Sequence, residues 1–131
     1  MQRVYSLLVD NNSGVLSRIS GLFTRRGYNI DSITAGVTAD SRFTIVSSGD
    51  EIILSQIEKQ IAKLEDVIVV KVLKPEESVY RELILVKIRA NAQQRSEIVS
   101  IADIFRAKIV DAERESLVIE LTGTQSKLEA F

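Results

Sequence analysis

The chain carries the sequence DNNSGVLSRI at residues 10–19 and the sequence RRGYNI at residues 25–30. A polar turn, a glycine and an amphipathic stretch in this order predict a helix that begins near Gly14 and ends at Gly27. A glycine beside a helix start lets the backbone approach a ligand closely, and the free N–H groups of the first turn suit a carboxylate. The stretch therefore predicts a site for a small zwitterion beside this helix.

Hydrophobic patterning around this helix predicts the order β-α-β-β-α-β for the first part of the chain. The strands are predicted at residues 4–9, 29–37, 43–48 and 67–73, with a bend near Asp31 or Ser32. The second helix is predicted to begin at an Asp50 cap and to bury the face formed by Ile53, Ile57, Ile61 and Leu64. In this split arrangement, both helices cover one face of a four-stranded antiparallel sheet.

The pattern begins again after a short linker at residues 75–79, which contains the single proline of the chain. The linker separates a first domain, residues 1–74, from a second, residues 80–131. The second domain is predicted to contain a strand at 80–90 and a hairpin at 107–121. Between them lies a helix whose core face is formed by Ile98, Ile101, Ala102 and Phe105.

A second helix of this domain is predicted to begin at a Thr124 cap, but the sequence stops at Phe131. We therefore expect an α+β domain that is incomplete at its end. If the repeat is complete in nature, the chain continues for about thirty residues, enough for the rest of a helix and one strand.

Composition limits the possible functions. The chain has 45% hydrophobic and 27% charged residues and a net charge of −1, which is typical of a globular protein and gives no pull toward nucleic acid or membrane surfaces. It has no cysteine and no histidine, so disulfides, thiolate nucleophiles, imidazole bases and the usual zinc ligands are excluded. No leader or membrane-spanning stretch is recognised, and a cytoplasmic location is expected.

Catalysis and RNA binding are both disfavoured by the residues present. The candidate general bases are carboxylates at Asp10, Asp31 and Asp50, and nothing in the predicted strand order pairs them or places a nucleophile beside them. We therefore predict no catalytic residue. A four-stranded sheet with two helices is also found in RNA-binding modules, but these strands lack the basic and aromatic motif on which bases stack.

Asn11 and Asn29 bracket the first helix, one just before it and one just after it. Each asparagine alone is a common turn residue. Because the crossover is expected to bring the second strand back beside the first, we predict that both can contact one ligand. Arg18, Arg25 and Arg26 are interpreted as solvated residues of the helix.

Several short motifs of the first 75 residues resemble the ACT domain of the regulatory (small) subunit of acetolactate synthase. They are NNSGVLSR at 11–18, GLF at 21–23, RGYNI at 26–30 and SSGDE at 47–51. The likeness continues into the second domain of that subunit, through RELILVKI at 81–88, IFR at 104–106 and LTG at 121–123. Their order and spacing make the resemblance specific.

The resemblance implies a ferredoxin-like ACT domain over residues 1–74, which binds an effector and forms a homodimer. The implied effector is valine or another branched-chain amino acid, and the implied binding residues are Asn11, Gly14, Val15, Leu16, Asn29 and Ile30. The implied partner is the catalytic subunit, which carries thiamine diphosphate, Mg²⁺ and FAD. This chain itself would hold no cofactor or metal.

The implied function is to activate that catalytic subunit and to confer feedback inhibition by valine in branched-chain amino acid biosynthesis. The alternative is a stand-alone ACT protein that senses an amino acid and regulates another enzyme or a transcription factor. Neither reading makes the chain an enzyme by itself.

Overall fold

A computed structural model describes residues 1–10, 12–36 and 41–131 of the chain. The chain divides into two compact units, Met1–Ser78 and Val79–Phe131. Both units are α+β with antiparallel sheets, so the predicted fold class is confirmed. The longest helix in the described part has 13 residues, and no helix there is long and apolar enough to cross a bilayer.

The first unit has the predicted order β-α-β-β-α-β. Its elements are β1 (Gln2–Val9), α1 (Val15–Arg26), β2 (Ser32–Gly36), β3 (Ser41–Ser48), α2 (Glu51–Ala62) and β4 (Val67–Leu73). The strands form one antiparallel sheet in the order β2-β3-β1-β4. The last residue of the strand predicted at 29–37 lies outside the described residues.

The core of this unit lies between the helices and one face of the sheet. Alternate residues of β1, namely Tyr5, Leu7 and Val9, are buried, as period-two alternation requires. The Tyr5 hydroxyl donates a 2.7 Å hydrogen bond to the Leu54 carbonyl oxygen of α2, which satisfies the one polar atom of this fully buried ring.

Helix α2 begins at its predicted cap. The Asp50 carboxylate accepts a 2.8 Å hydrogen bond from the Ile53 backbone N–H. The prediction that Ile53 belongs to the buried face was wrong, because Ile53 is 37% exposed and Leu54 takes its place in the core. The buried face therefore begins one position later than the i, i+4 series from Ile53 indicated.

The two edge strands of this sheet, β2 and β4, each pair with a neighbour on one side only within the described residues. Free edges present unpaired backbone groups that a second strand can bind. Strand β2 is short, with five residues, and it follows a bend at Asp31, as predicted. The backbone N–H of Asp31 donates to the Val46 carbonyl oxygen of β3 at 2.8 Å, which fixes this bend against the sheet.

The second unit repeats the order as far as its second helix. Its elements are β5 (Glu82–Arg89), α3 (Ala92–Ile104), β6 (Lys108–Ala112), β7 (Ser116–Gly123) and α4 (Gln125–Ala130). The three strands form an antiparallel sheet in the order β5-β7-β6. The central strand β7 supplies most of the small core through Leu117, Ile119 and Leu121.

Two details of the helices in this unit differ from prediction. Ile101 of α3 is 41% exposed, and only Ala102 of that helix is fully buried. Helix α4 begins where predicted, after Thr124, but the Thr124 side chain caps no backbone N–H. Its hydroxyl instead lies 3.2 Å from the Ser126 hydroxyl.

Candidate functional site

The turn between β1 and α1 is held by the loop that precedes β4. The Asp10 backbone N–H donates a 2.8 Å hydrogen bond to the Asp66 carbonyl oxygen. The Asn12 backbone N–H then bonds back to the Asp10 carbonyl oxygen at 2.9 Å. Predicted site residue Asn11 lies outside the described residues. The turn is thus anchored through Asp10 to the main chain of a second loop.

Gly14 stands at the N-cap of α1 in the left-handed conformation, with φ of 83°. For most L-amino acids this backbone conformation costs about 1 kcal/mol or more, whereas achiral glycine adopts it readily. A Cβ placed there would also lie 3.1 Å from a guanidinium nitrogen of Arg18. Because Gly14 has no side chain that could accept hydrogen bonds from the first-turn amides, no side-chain cap occupies these donors. They lie at the positive end of the helix dipole.

The next two predicted site residues divide their roles between core and surface. Val15 is buried and packs in the core of the first unit, which fixes the first turn of α1. Leu16 is 48% exposed, so its side chain is available to a ligand or a second copy of the chain. The backbone amides of both residues belong to the first turn, where an anion is favoured.

Arg18 is exposed, as predicted, but it also forms an ion pair that the sequence did not indicate. Its Nε donates a 2.5 Å hydrogen bond to Asp66 Oδ2, and another guanidinium nitrogen donates to the Ser13 carbonyl oxygen at 3.3 Å. The Asp66 side chain is largely covered, with 14% exposed, whereas that of Arg18 is half exposed. Arg18 therefore joins the start of α1 to the loop after α2 and brings a positive charge beside Gly14.

The ion pair shifts the pKa values of both partners. The hydrogen bond from Arg18 lowers the pKa of Asp66, against a smaller opposing effect of desolvation, and the Asn12 side chain lowers it further. The hydrogen bond to Asp66 likewise raises the pKa of Arg18. Both groups are thus charged at neutral pH.

This shift predicts how the stability of the first unit depends on pH. Because the folded pKa of Asp66 is lowered, the pair stabilises the fold fully above the usual carboxyl pKa of about 4. That contribution is lost as the pH falls through the lowered pKa of Asp66. Thermal unfolding of the parent chain and of Asp66→Asn should differ at pH 7, and the difference should vanish in strong acid.

Glu65→Gln is the matched control, since it removes a neighbouring carboxylate outside the Arg18–Asp66 ion pair. If the thermal unfolding midpoints of the parent and Asp66→Asn differ as much at pH 2 as at pH 7, this account of the ion pair is contradicted.

A hollow of about 400 Å³ opens beside the start of α1. Its lining consists of Asp10, Asn12, Arg18, Leu64, Glu65 and Asp66. Three of these six described residues are carboxylates, and Arg18 already engages one of them, Asp66. Within the described residues, no group of three or more carboxylates, histidines or cysteines could hold a metal ion.

The last two predicted residues follow the end of α1. Gly27, at φ of 68°, ends the helix, and Tyr28 packs edge-on against Phe23 with ring centroids 6.0 Å apart. Asn29 is exposed, and its backbone carbonyl oxygen accepts a hydrogen bond from the Ser47 hydroxyl. Ile30 is partly buried and packs against the core of the first unit, so it anchors the segment that carries Asn29.

The structure does not bring Asn29 beside the α1 start within one chain. Val9, the residue before the turn, pairs with Ser41 at one end of β3, whereas Asn29 contacts Ser47 near the other end. Helix α1 has 12 residues and therefore spans about 18 Å between the two places. Gly14 and Asn29 of one chain thus lie at opposite ends of α1, and their shared contact with one ligand stays a prediction that needs a second copy of the chain.

Comparison with known proteins gives two family matches. Residues 5–69 match the model described as the AHAS small subunit-like ACT domain. Residues 81–131 match the model described as the small subunit of acetolactate synthase. The two matches fall in the first and second units respectively.

Individual relatives carry the same description. The acetolactate synthase small subunit of Haemophilus influenzae is 48% identical over 134 aligned positions, which cover 100% of this chain and 82% of the relative. The isozyme 3 small subunit of Escherichia coli is 47% identical with the same coverage. The crystal structure of the Thermotoga maritima small subunit is 42% identical, with a TM-score of 0.86 over 99% of this chain and 83% of that one.

Proposed function

Because the chain belongs to the acetolactate synthase small-subunit family, we propose that it activates the catalytic subunit of that enzyme and makes it sensitive to feedback inhibition by valine. The observation that carries this proposal is identity of nearly half over the whole chain to subunits that bear this name. We place the complex in the cytoplasm. Thiamine diphosphate, Mg²⁺ and FAD would belong to the catalytic subunit, and this chain would perform no chemistry itself.

The start of α1 is the proposed site for the effector carboxylate. The backbone amides of Gly14, Val15 and Leu16 would donate to it, and the positive end of the helix dipole favours its charge. Support comes from the left-handed Gly14, which leaves the approach open, and from the charge of Arg18 beside it. Asn11 and Asn29 are the proposed contacts for the ammonium group, and Ile30 supports Asn29.

A second copy of the chain would bring these residues together. Gly36 of β2 pairs with Arg42, next to the pairing of Val9 with Ser41, so that end of β2 lies at the same end of the sheet as the α1 start. Antiparallel pairing of the free β2 edge with its copy would set the Asn29 end of one strand against the Gly36 end of the other. Each effector would then lie between Gly14 of one subunit and Asn29 of the partner subunit.

This arrangement also gives a physical basis for inhibition. Valine can inhibit only if it binds one state of the holoenzyme more tightly than another. A coupling of about 1–3 kcal/mol is typical of allosteric proteins, and it changes affinity about 5- to 150-fold. A site shared by two subunits is well suited to such differential binding, because any change in how the subunits pair alters how the two halves of the site are placed.

Co-expression with the catalytic subunit of the same source tests the proposal. We expect the two chains to copurify, acetolactate formation from pyruvate to rise at least severalfold over the catalytic subunit alone, and valine to reverse that rise. If the chains do not associate, or if the rate and its response to valine are unchanged, the proposal fails. Capture of a different enzyme or a transcription factor would instead favour an amino-acid sensor of another system.

A further inference from the structure

The Asp31 carboxylate, at the bend before β2, is the acceptor for three side chains. Gln2 Nε2 donates to its Oδ2 at 3.2 Å, and the Ser48 hydroxyl donates to the same oxygen. The third donor is Nδ2 of Asn29, which bonds to Oδ1 at 2.5 Å. With its backbone N–H bonded to Val46, Asp31 is held from β1, β3 and its own bend.

The contact with Asp31 determines which way the Asn29 amide faces. An ionised carboxylate only accepts hydrogen bonds, so the amide must turn its nitrogen toward Asp31. The Asn29 oxygen, Oδ1, is then the side-chain atom that can accept a hydrogen bond from another group. The Ser47 hydroxyl holds the Asn29 backbone carbonyl as well, so main chain and side chain are both restrained.

We propose that Asp31 is a positioning residue, which makes Asn29 present an acceptor to the ammonium group of the amino-acid effector. The inference rests on the proposed function and adds a basis for specificity. With Nδ2 engaged by Asp31, Asn29 contributes an oxygen that suits an ammonium group and repels a carboxylate. The site would thereby select amino acids over carboxylic acids of the same shape that lack the amino group.

Asp31→Asn tests this role because it keeps the shape of the side chain and removes the charge that orients the amide. In the full chain, calorimetry should show valine binding about tenfold weaker in Asp31→Asn and about thirtyfold weaker in Asn29→Ala, as expected for hydrogen bonds to a charged group. If Asp31 acts through Asn29, adding Asp31→Asn to Asn29→Ala should change the affinity less than about twofold.

Two further measurements separate positioning from a structural effect. Binding of 3-methylbutanoate, which is valine without its amino group, is followed by NMR titration and should not weaken in Asp31→Asn. Gln2→Ala removes another donor to Asp31 without touching Asn29, and it should leave valine affinity within about twofold of the parent. Thermal unfolding verifies that every variant is folded.

If Asp31→Asn binds valine as tightly as the parent does, the proposed role of Asp31 is overturned, whereas the proposed effector site is not. The same holds if Asp31→Asn weakens valine binding equally with and without Asn29, or weakens 3-methylbutanoate binding as much as valine binding. Failure of the parent chain to bind valine, leucine or isoleucine would overturn both this inference and the proposed effector site.

Discussion

Replacement of Gly14 by aspartate should weaken valine binding by at least about a hundredfold, or about 2.7 kcal/mol. The new carboxylate would lie at the start of α1, where it can accept from the first-turn amides and attract Arg18. It would thus occupy the place proposed for the effector carboxylate and repel it. Calorimetry with valine measures the loss of affinity, and the midpoint of thermal unfolding verifies that the variant is folded.

Gly14→Asn is the matched control for this variant. Asparagine has nearly the same shape as aspartate and tolerates the left-handed conformation found at Gly14, but it carries no charge. We expect a loss of only about tenfold, from the bulk of the side chain. Valine affinity of folded Gly14→Asp within threefold of the parent, or equal losses in both variants, would contradict the assignment of the carboxylate to this helix start.

The sheet and its buried face could be predicted because they depend on local patterns. Alternation placed Tyr5, Leu7 and Val9 on one side of β1, and a polar cap marked the start of α2 at Asp50. The buried face of α2 was misjudged at Ile53 because Ile53 and Leu54 are both apolar and adjacent. Composition alone cannot choose between them, and in the fold Leu54 is the residue whose side chain is fully buried in the core.

The contacts that shape the site were harder to predict because they join distant parts of the chain. Arg18 and Asp66 are 48 residues apart, and neither has a sequence pattern that indicates its partner. The same is true of Asp31 with Gln2 and Ser48. A charged residue on a helix surface is by default solvated, so only the fold identifies the pair.

The separation of Asn29 from the α1 start is different, because the sequence contained the information. A helix of 12 residues between Gly14 and Gly27 has a length of about 18 Å, too long for one small amino acid to bridge. The resemblance to ACT domains also implied a homodimer, in which a second copy of the chain is available to complete the site. Under the proposed function, Asn29 of each subunit would therefore contribute to the effector site of the neighbouring copy.

A heterodimer of two defective chains should recover one normal effector site. If each site combines Gly14 of one subunit with Asn29 of the partner subunit, both lesions of a Gly14→Asp/Asn29→Ala heterodimer fall in the same site. The other site then has only parent residues. If each chain formed its own site, both sites of the heterodimer would carry one lesion and neither would bind normally.

The most direct test is calorimetry of that heterodimer, co-expressed with two different tags and purified through both. The account predicts about one valine per dimer with the affinity of the parent, beside Gly14→Asp and Asn29→Ala homodimers that bind at least about tenfold more weakly. No binding at parental affinity by the heterodimer would contradict it and would assign each site to a single chain.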